Sequence, residues 1–268
     1  MSESKTILGI MSGTSLDGLD FALCRFKSSS LAYDYEIIKT GFYPYDLQTK
    51  KKLSEAQKLN AYEFILFHKQ YGKYIGQKAK CFLKNEVTPD IIASHGHTVF
   101  HKPQEQITFQ IGDAAFITAE TGIPVISDFR NLDTALKGQG APLVPAGDKL
   151  LFPEYDICLN LGGFANISYD DDSGKRKAFD VSPFNFIINN LVKPLNKEYD
   201  KDGEIGKTGK INISLLSELD NIPYYKEQMP KSLGREYVES YFFPVLDSYN
   251  IPFKDKIRTF YEHAAYKI

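Results

Sequence analysis

Tryptophan is absent from the 268 residues of this chain, and cysteine and methionine occur three times each. Cys24, Cys81 and Cys158 stand far apart, without the C-x-x-C spacing that holds zinc or exchanges disulfides. They read as free thiols buried among apolar neighbours in a reducing cytoplasm. No apolar run approaches the ~18 residues of a membrane span, and no basic segment precedes the short apolar stretch in MSESKTILGIMSG, which argues against a signal peptide. Basic blocks are also missing, and a net charge of −2 creates no general attraction for nucleic acid or an acidic membrane. What remains is 43% hydrophobic and 25% charged, enough for one large or two modest cores and suited to a small-molecule partner.

Strand-like runs rich in β-branched and aromatic residues cover 6–10, 20–26 and 35–43, and read as consecutive hairpins. A proline-free stretch over 59–83 reads as a helix, 90–94 as a short buried strand, 112–121 as a helix and 124–127 as a strand. Strand-rich sequence restarts at 155–161 and continues through 165–169 and 177–181, with the polar turn DDDSGK between the last two. Helix-compatible sequence follows. Three strands and then helices, twice over, predict two α/β domains, 1–145 and 146–268, divided within the glycine-bearing segment 138–147.

Several loops behind these strands carry candidate chemistry. In LGIMSGTSLDGLD, Gly9, Gly13 and Gly18 surround Ser12, Thr14 and Ser15, so the backbone and hydroxyls suit an anion, while Asp17 and Asp20 suit hydrated magnesium. A glycine-rich hairpin would look the same, and the spacing is not that of a Walker loop. Gly162 and Gly163 in NLGGFAN form a second glycine loop behind a strand. GEIGKTGK contains Gly-Lys-Thr but has lysine at 201 where Walker spacing needs glycine, and reads as a solvated loop.

SHGHTVFH puts three of the five histidines in eight residues. In an extended chain His95 and His97 share a face, which with His101 offers a metal site; the alternative is hydrogen bonding and packing. In SDFRNLD, Arg130 suits a substrate carboxylate or a pairing with Asp128 or Asp133. GQGAPLVP has a linker's composition, although a glutamine between glycines also suits a ligand-facing turn. Asp180, in KAFDVSPFN, falls at a strand end just before a helix with Pro183 in its first turn, a place for a helix cap or a base.

In order along the chain, MSGTSLDGLD, SHGHTVFH, SDFRNLDTALKGQGAPLVP, LNLGGFANIS, FDVSPFN, YDKDGEIGKTGKIN and PKSLGRE resemble the anhydro-N-acetylmuramic acid kinase family of the acetate kinase, hexokinase and actin superfamily. The resemblance implies a two-domain actin-like, ribonuclease H-like α/β fold with a cleft between domains. It also implies ATP-dependent opening of 1,6-anhydro-N-acetylmuramic acid by water, with phosphorylation of O6 to give N-acetylmuramic acid 6-phosphate in cell-wall recycling. Asp180 would be the base. Gly13, Thr14, Ser15, Asp17, Gly18 and Asp20, with Gly162 and Gly163, would handle ATP and Mg2+, Asp17 as a magnesium ligand. His95, Thr98, Asp128 and Arg130 would line the sugar side, and a homodimer follows from the resemblance alone.

His97 stands where many relatives carry glutamine, and FDVSPFN replaces a commoner FDTGPGN. The chain ends at EHAAYKI, in what reads as mid-helix, where relatives continue into a glycine-rich segment that closes around adenosine. The expectation is an incomplete second domain and weak or no ATP binding by the chain alone. A metal-dependent hydrolase using His95, His97 and His101, and a non-catalytic sugar-binding remnant, are the rival expectations.

Overall fold

Alternation of apolar and polar residues in the first forty positions builds three antiparallel strands in the computed structural model, which describes residues 4–13, 16–28, 32–229 and 231–268. They are β1 (Ser4–Ser12), β2 (Gly18–Ser28) and β3 (Tyr33–Pro44), consecutive hairpins as expected. Leu8 and Ile10 of β1 and Leu19, Phe21 and Leu23 of β2 are buried on one face, the period-2 pattern of a sheet with one packed side. Two helices follow, α1 (Leu47–Glu55) and α2 (Ala61–Phe82), the second begun by a capping box between Asn60 and Glu63. The chain then enters β4 (Ile91–Lys102), parallel to β1, and β5 (Ile107–Ile111), antiparallel to β4. It continues through α3 (Ala114–Thr121), β6 (Val125–Ile126), α4 (Asn131–Ala135) and α5 (Val144–Leu151).

These elements form the first of two compact units, Met1–Leu151. Its mixed sheet has the order β3-β2-β1-β4-β5, with β6 beside β4. Tyr71, Ile75, Ala79 and Phe82 of α2 and Ile117 of α3 join the buried strand residues in one core. Close helix packing explains two glycines: a Cβ on Gly72 would lie 2.4 Å from the Asp113 carbonyl, and one on Gly76 2.8 Å from Glu120 Cβ.

The second unit, Phe152–Ile268, opens with another antiparallel meander. Its strands are β7 (Ile157–Leu161), β8 (Phe164–Asp170) and β9 (Arg176–Pro183), in the order β7-β8-β9. Helices α6 (Asn185–Val192), α7 (Glu204–Lys207), α8 (Ile213–Asp220), α9 (Arg235–Tyr237), α10 (Phe243–Ser248) and α11 (Phe253–Lys267) complete it. Ile187, Leu191, Leu215, Leu219, Phe242 and Phe260 are among the residues of its separate core. The molecule is therefore a mixed α/β protein, and among the described residues no helix is long and apolar enough to cross a membrane.

Four sequence expectations change. The strand expected at 90–94 runs on through SHGHTVFH to Lys102, because β5 supplies a second pairing partner. Pro183 ends β9 opposite Phe164 instead of starting a helix, which begins at Asn185. GEIGKTGK is a short helical turn held by Asp200, whose carboxylate accepts from the N–H groups of Ile205 and Gly206 at 2.8 and 3.0 Å. Cys81 is exposed and Cys24 and Cys158 are half-buried, so none of the thiols is a core residue.

Candidate functional site

The connection from β1 to β2 carries the first glycine loop; Thr14 and Ser15 lie outside the described residues. Asp17 turns its carboxylate back onto the Gly18 N–H at 2.9 Å, and its carbonyl accepts from Tyr45 N at 2.9 Å. Gly18 cannot carry a side chain, since a Cβ there would meet the Tyr43 carbonyl at 2.4 Å. Beneath Gly13 the hydroxyls of Ser12, Tyr45 and Tyr71 form a buried triangle, with oxygen separations of 2.7, 2.6 and 2.8 Å. His97 Nδ1 joins it 3.3 Å from Ser12 Oγ. Burial, aided by the nearby His95, lowers the His97 pKa to about 4, against the pull of a hydrogen bond to the Gly13 backbone. A neutral imidazole and three hydroxyls thus anchor the loop from below.

Asp20 sits in register between Met11 and Phe42. Partial burial, and then the charge of Asp17, raise its pKa. Carboxylate oxygens are the donor type that magnesium takes. Asp20 and His95 also line one groove of about 660 Å³, with Gly9, Met11, Ala22 and Phe42 on its walls.

The histidine motif is split by Gly96, whose φ of +69° accompanies an irregularity in the β1–β4 register: Ile10 faces Ser94, but Ser12 faces His97. As a result His97 reaches the buried Ser12, whereas His95 reaches Arg130, so the shared face expected of an uninterrupted strand is lost. His95 Nδ1 is 2.9 Å from the Gly96 carbonyl, and Nε2 accepts from Arg130 Nε at 2.9 Å, which assigns a neutral ring with its proton on Nδ1. Burial, followed by Gly96's opposing hydrogen bond and then the Arg130 charge, leaves the His95 pKa lowered. His101 sits 3.2 Å from Thr108 Oγ1. Among the described residues no three His, Cys, Asp or Glu side chains gather as a metal site.

Arg130 has no carboxylate partner among the described residues; its Nη1 donates to the Gly140 carbonyl at 2.8 Å. Asp133 accepts from Gly140 N at 2.6 Å, so GQGAPLVP is folded against SDFRNLD. Asp128 follows β6 with φ +61°, and Thr98 lies opposite Gln110 of β5.

In the second unit the Gly162–Gly163 turn presents carbonyls to the start of α6: Gly163 O accepts from Phe184 N and Phe186 N at 2.9 and 3.1 Å, and Gly162 O from Asn185 N at 3.2 Å. Asp180 lies within β9, opposite Asn166. Its N–H donates to the Lys231 carbonyl at 3.1 Å, its Oδ2 accepts from Leu233 N at 2.8 Å, and its carbonyl accepts from the Tyr224 hydroxyl. Burial raises the Asp180 pKa, opposed by the Leu233 N–H. Lys231 in turn donates to the Tyr224 carbonyl at 2.9 Å and lies 4.4 Å from that tyrosine's ring centre.

Two positions along β9, Ser182 is 3.1 Å from the Tyr225 hydroxyl, which is 2.7 Å from His263 Nε2; His263 Nδ1 is 2.8 Å from Asp220. Adjacent tyrosines therefore grip the strand at Asp180 and Ser182. The supporting roles of Tyr45, Tyr71, Tyr224 and Leu233 carry no local sequence signal: the tyrosines read as core aromatics, and Leu233 acts through its backbone.

Comparison with known proteins matches the anhydro-N-acetylmuramic acid kinase model to residues 5–267. The kinase of that name from Pseudoalteromonas translucida (strain TAC 125) is 38% identical over 259 residues, covering 88% of this chain and 65% of its own length. Its namesake from Francisella tularensis subsp. novicida (strain U112) is 39% identical over 255 residues, with 88% and 67% covered. The namesake from Hydrogenovibrio crunogenus is 35% identical over 268 residues, with 96% and 72% covered. The chain thus spans about two thirds of the length of these relatives.

Proposed function

The chain belongs to the anhydro-N-acetylmuramic acid kinase family, and on that premise we propose that it is an ATP-dependent kinase of 1,6-anhydro-N-acetylmuramic acid with Asp180 as the base. Asp180 takes a proton from water as the water oxygen bonds to the anomeric carbon. The bond from that carbon to O6 breaks, O6 takes the γ-phosphoryl group, and ADP leaves. The products are N-acetylmuramic acid 6-phosphate and ADP.

The observation that carries the base role is the environment of Asp180. One carboxylate oxygen is fixed by Leu233 N, the other has no partner among the described residues, and burial raises the pKa. A base needs a free oxygen, a fixed orientation and a proton affinity above that of an exposed carboxylate.

Arg130 is the proposed partner of the sugar's lactyl carboxylate, because a half-buried guanidinium with no carboxylate partner among the described residues favours an incoming anion. His95 orients it, and Thr98 and Asp128 complete the sugar contacts in this reading. Gly13, Thr14, Ser15, Gly18, Gly162 and Gly163 take phosphate, while Asp17 and Asp20 hold Mg2+, which when bound neutralises developing phosphate charge. An actin-like two-domain architecture, a cytoplasmic setting and a homodimer belong to the same proposal.

Replacing Asp180 with Asn tests it. Turnover of the anhydro sugar at saturating Mg-ATP falls by about 10²- to 10⁴-fold, while sugar affinity measured by calorimetry stays within about threefold. An Asn variant that retains the wild-type rate removes Asp180 from the base role.

A further inference from the structure

Strand β9 is irregular where it carries Asp180. Along β8 and β9, Ile167 faces Phe179 and Asn166 faces Asp180, but Ala165 faces Ser182, so Val181 is an extra residue of β9, a bulge between Asp180 and Ser182. A bulge interrupts the ladder, bends its strand and re-aims the side chain beside it. The direction of the Asp180 carboxylate therefore depends on what grips the bulge from either side.

Before the bulge, the Asp180 carbonyl accepts from the Tyr224 hydroxyl. After it, the fully buried Ser182 begins a chain of groups that ends in an ion pair. Ionised Asp220, held by Lys267 Nζ at 3.0 Å, only accepts, so His263 Nδ1, 2.8 Å away, carries a proton. His263 is fully buried against the rings of Tyr225, Phe242 and Phe260. Burial lowers its pKa to about 4, against the Asp220 hydrogen bond, so the ring is neutral at pH 7 and Nε2 is bare. Tyr225 then donates to Nε2 at 2.7 Å, which leaves its oxygen to accept. The Ser182 hydroxyl is directed at that oxygen, 3.1 Å away, and at the Pro183 carbonyl, 2.9 Å away.

We propose that this relay, from Ser182 through Tyr225 and His263 to Asp220, is a positioning device: it holds the β9 bulge and so aims the Asp180 carboxylate at the water it activates. All four residues act through β9. The assignment rests on the kinase reading, with Asp180 as the base.

The test is steady-state kinetics with 1,6-anhydro-N-acetylmuramic acid and Mg-ATP for Ser182→Ala, Tyr225→Phe and the two combined, each in the wild-type and Asp180→Asn backgrounds, well below every melting temperature. In the wild-type background each substitution lowers kcat about 10- to 100-fold while KM for both substrates stays within about twofold. The two combined lose no more than the worse one alone, because the relay acts as a unit. In the Asp180→Asn background the same substitutions change the residual rate by less than about twofold, since no base is left to aim. Wild-type kcat in Tyr225→Phe, or an equal fall in both backgrounds, overturns the positioning role and leaves the kinase reading standing. Histidine ¹⁵N spectra at pH 7 give a check that needs no turnover: His263 is protonated on Nδ1, and protonation on Nε2 instead overturns the relay. An Asp180→Asn variant as fast as wild type, or a wild type that makes no product, overturns the reading on which the relay rests and the relay's role with it.

Discussion

Asp180 and the two buried histidines couple chemistry to protonation. Burial raises the Asp180 pKa, so the ionised form is disfavoured in the folded protein: its contribution to stability is greatest below the unfolded carboxylate pKa and is lost as pH rises through the folded one. Asp180→Asn therefore melts higher than wild type at pH 7, and the difference shrinks in acid; a neutral-pH melting point below wild type contradicts this. His97 and His263 behave in the opposite sense, since burial lowers both to about 4 from 6.5. Their stability is fully present above about pH 6.5 and lost as pH falls toward 4, on the order of 3 kcal/mol for each. His97→Gln, which keeps a polar contact for Ser12, flattens that acid loss in a melting-versus-pH series, and an unchanged acid slope would show that His97 is not its source. Residue types were legible in the sequence, but these environments were not. Asp180's key donor is a backbone N–H 53 positions away, and no side chain announces it.

The elements easiest to foresee were the two strand meanders, because alternating apolar residues and glycine or aspartate turns are local signals. Those missed carry weaker ones. In α1, LQTKKKLSE, the only buried residue is Leu53, so no apolar stripe marks it. Gly96 looks like a strand end, yet its positive φ places an irregularity within a strand that continues. A Cβ at Gly96 would lie 2.5 Å from the Ile111 carbonyl. Gly96→Ala thus destabilises the protein by about 1–3 kcal/mol, read as a lower urea midpoint, and weakens sugar binding by displacing His95 from Arg130. Wild-type stability and binding in that variant would remove the special role given to this turn. On the opposite side of the chain's midpoint, Tyr224 and Leu233 hold β9 at Asp180. Tyr224→Phe costs about 1 kcal/mol, again as a shift in urea midpoint, and no shift would mean that the hydroxyl contributes nothing to the strand's position.

Each of the two units, Met1–Leu151 and Phe152–Ile268, encloses its own buried core. Such units fold on their own local contacts, so the fragment 1–151 retains native-like circular dichroism and cooperative melting, whereas a fragment without a cooperative transition contradicts the independence of its core. The order of strands followed by helices was legible from local patterning in each half of the chain; the distant segments that meet at Asp180, and separately at Arg130, were not, because chain separation hides spatial neighbours. The central claim is that this chain phosphorylates an anhydro sugar with Asp180 as base, and the direct measurement is product formation from 1,6-anhydro-N-acetylmuramic acid in ¹⁸O-labelled water at saturating Mg-ATP. The account predicts N-acetylmuramic acid 6-phosphate with the label on the anomeric carbon from the wild type and almost none from Asp180→Asn. No product from the wild type, unlabelled product, or equal rates from the two proteins would contradict it.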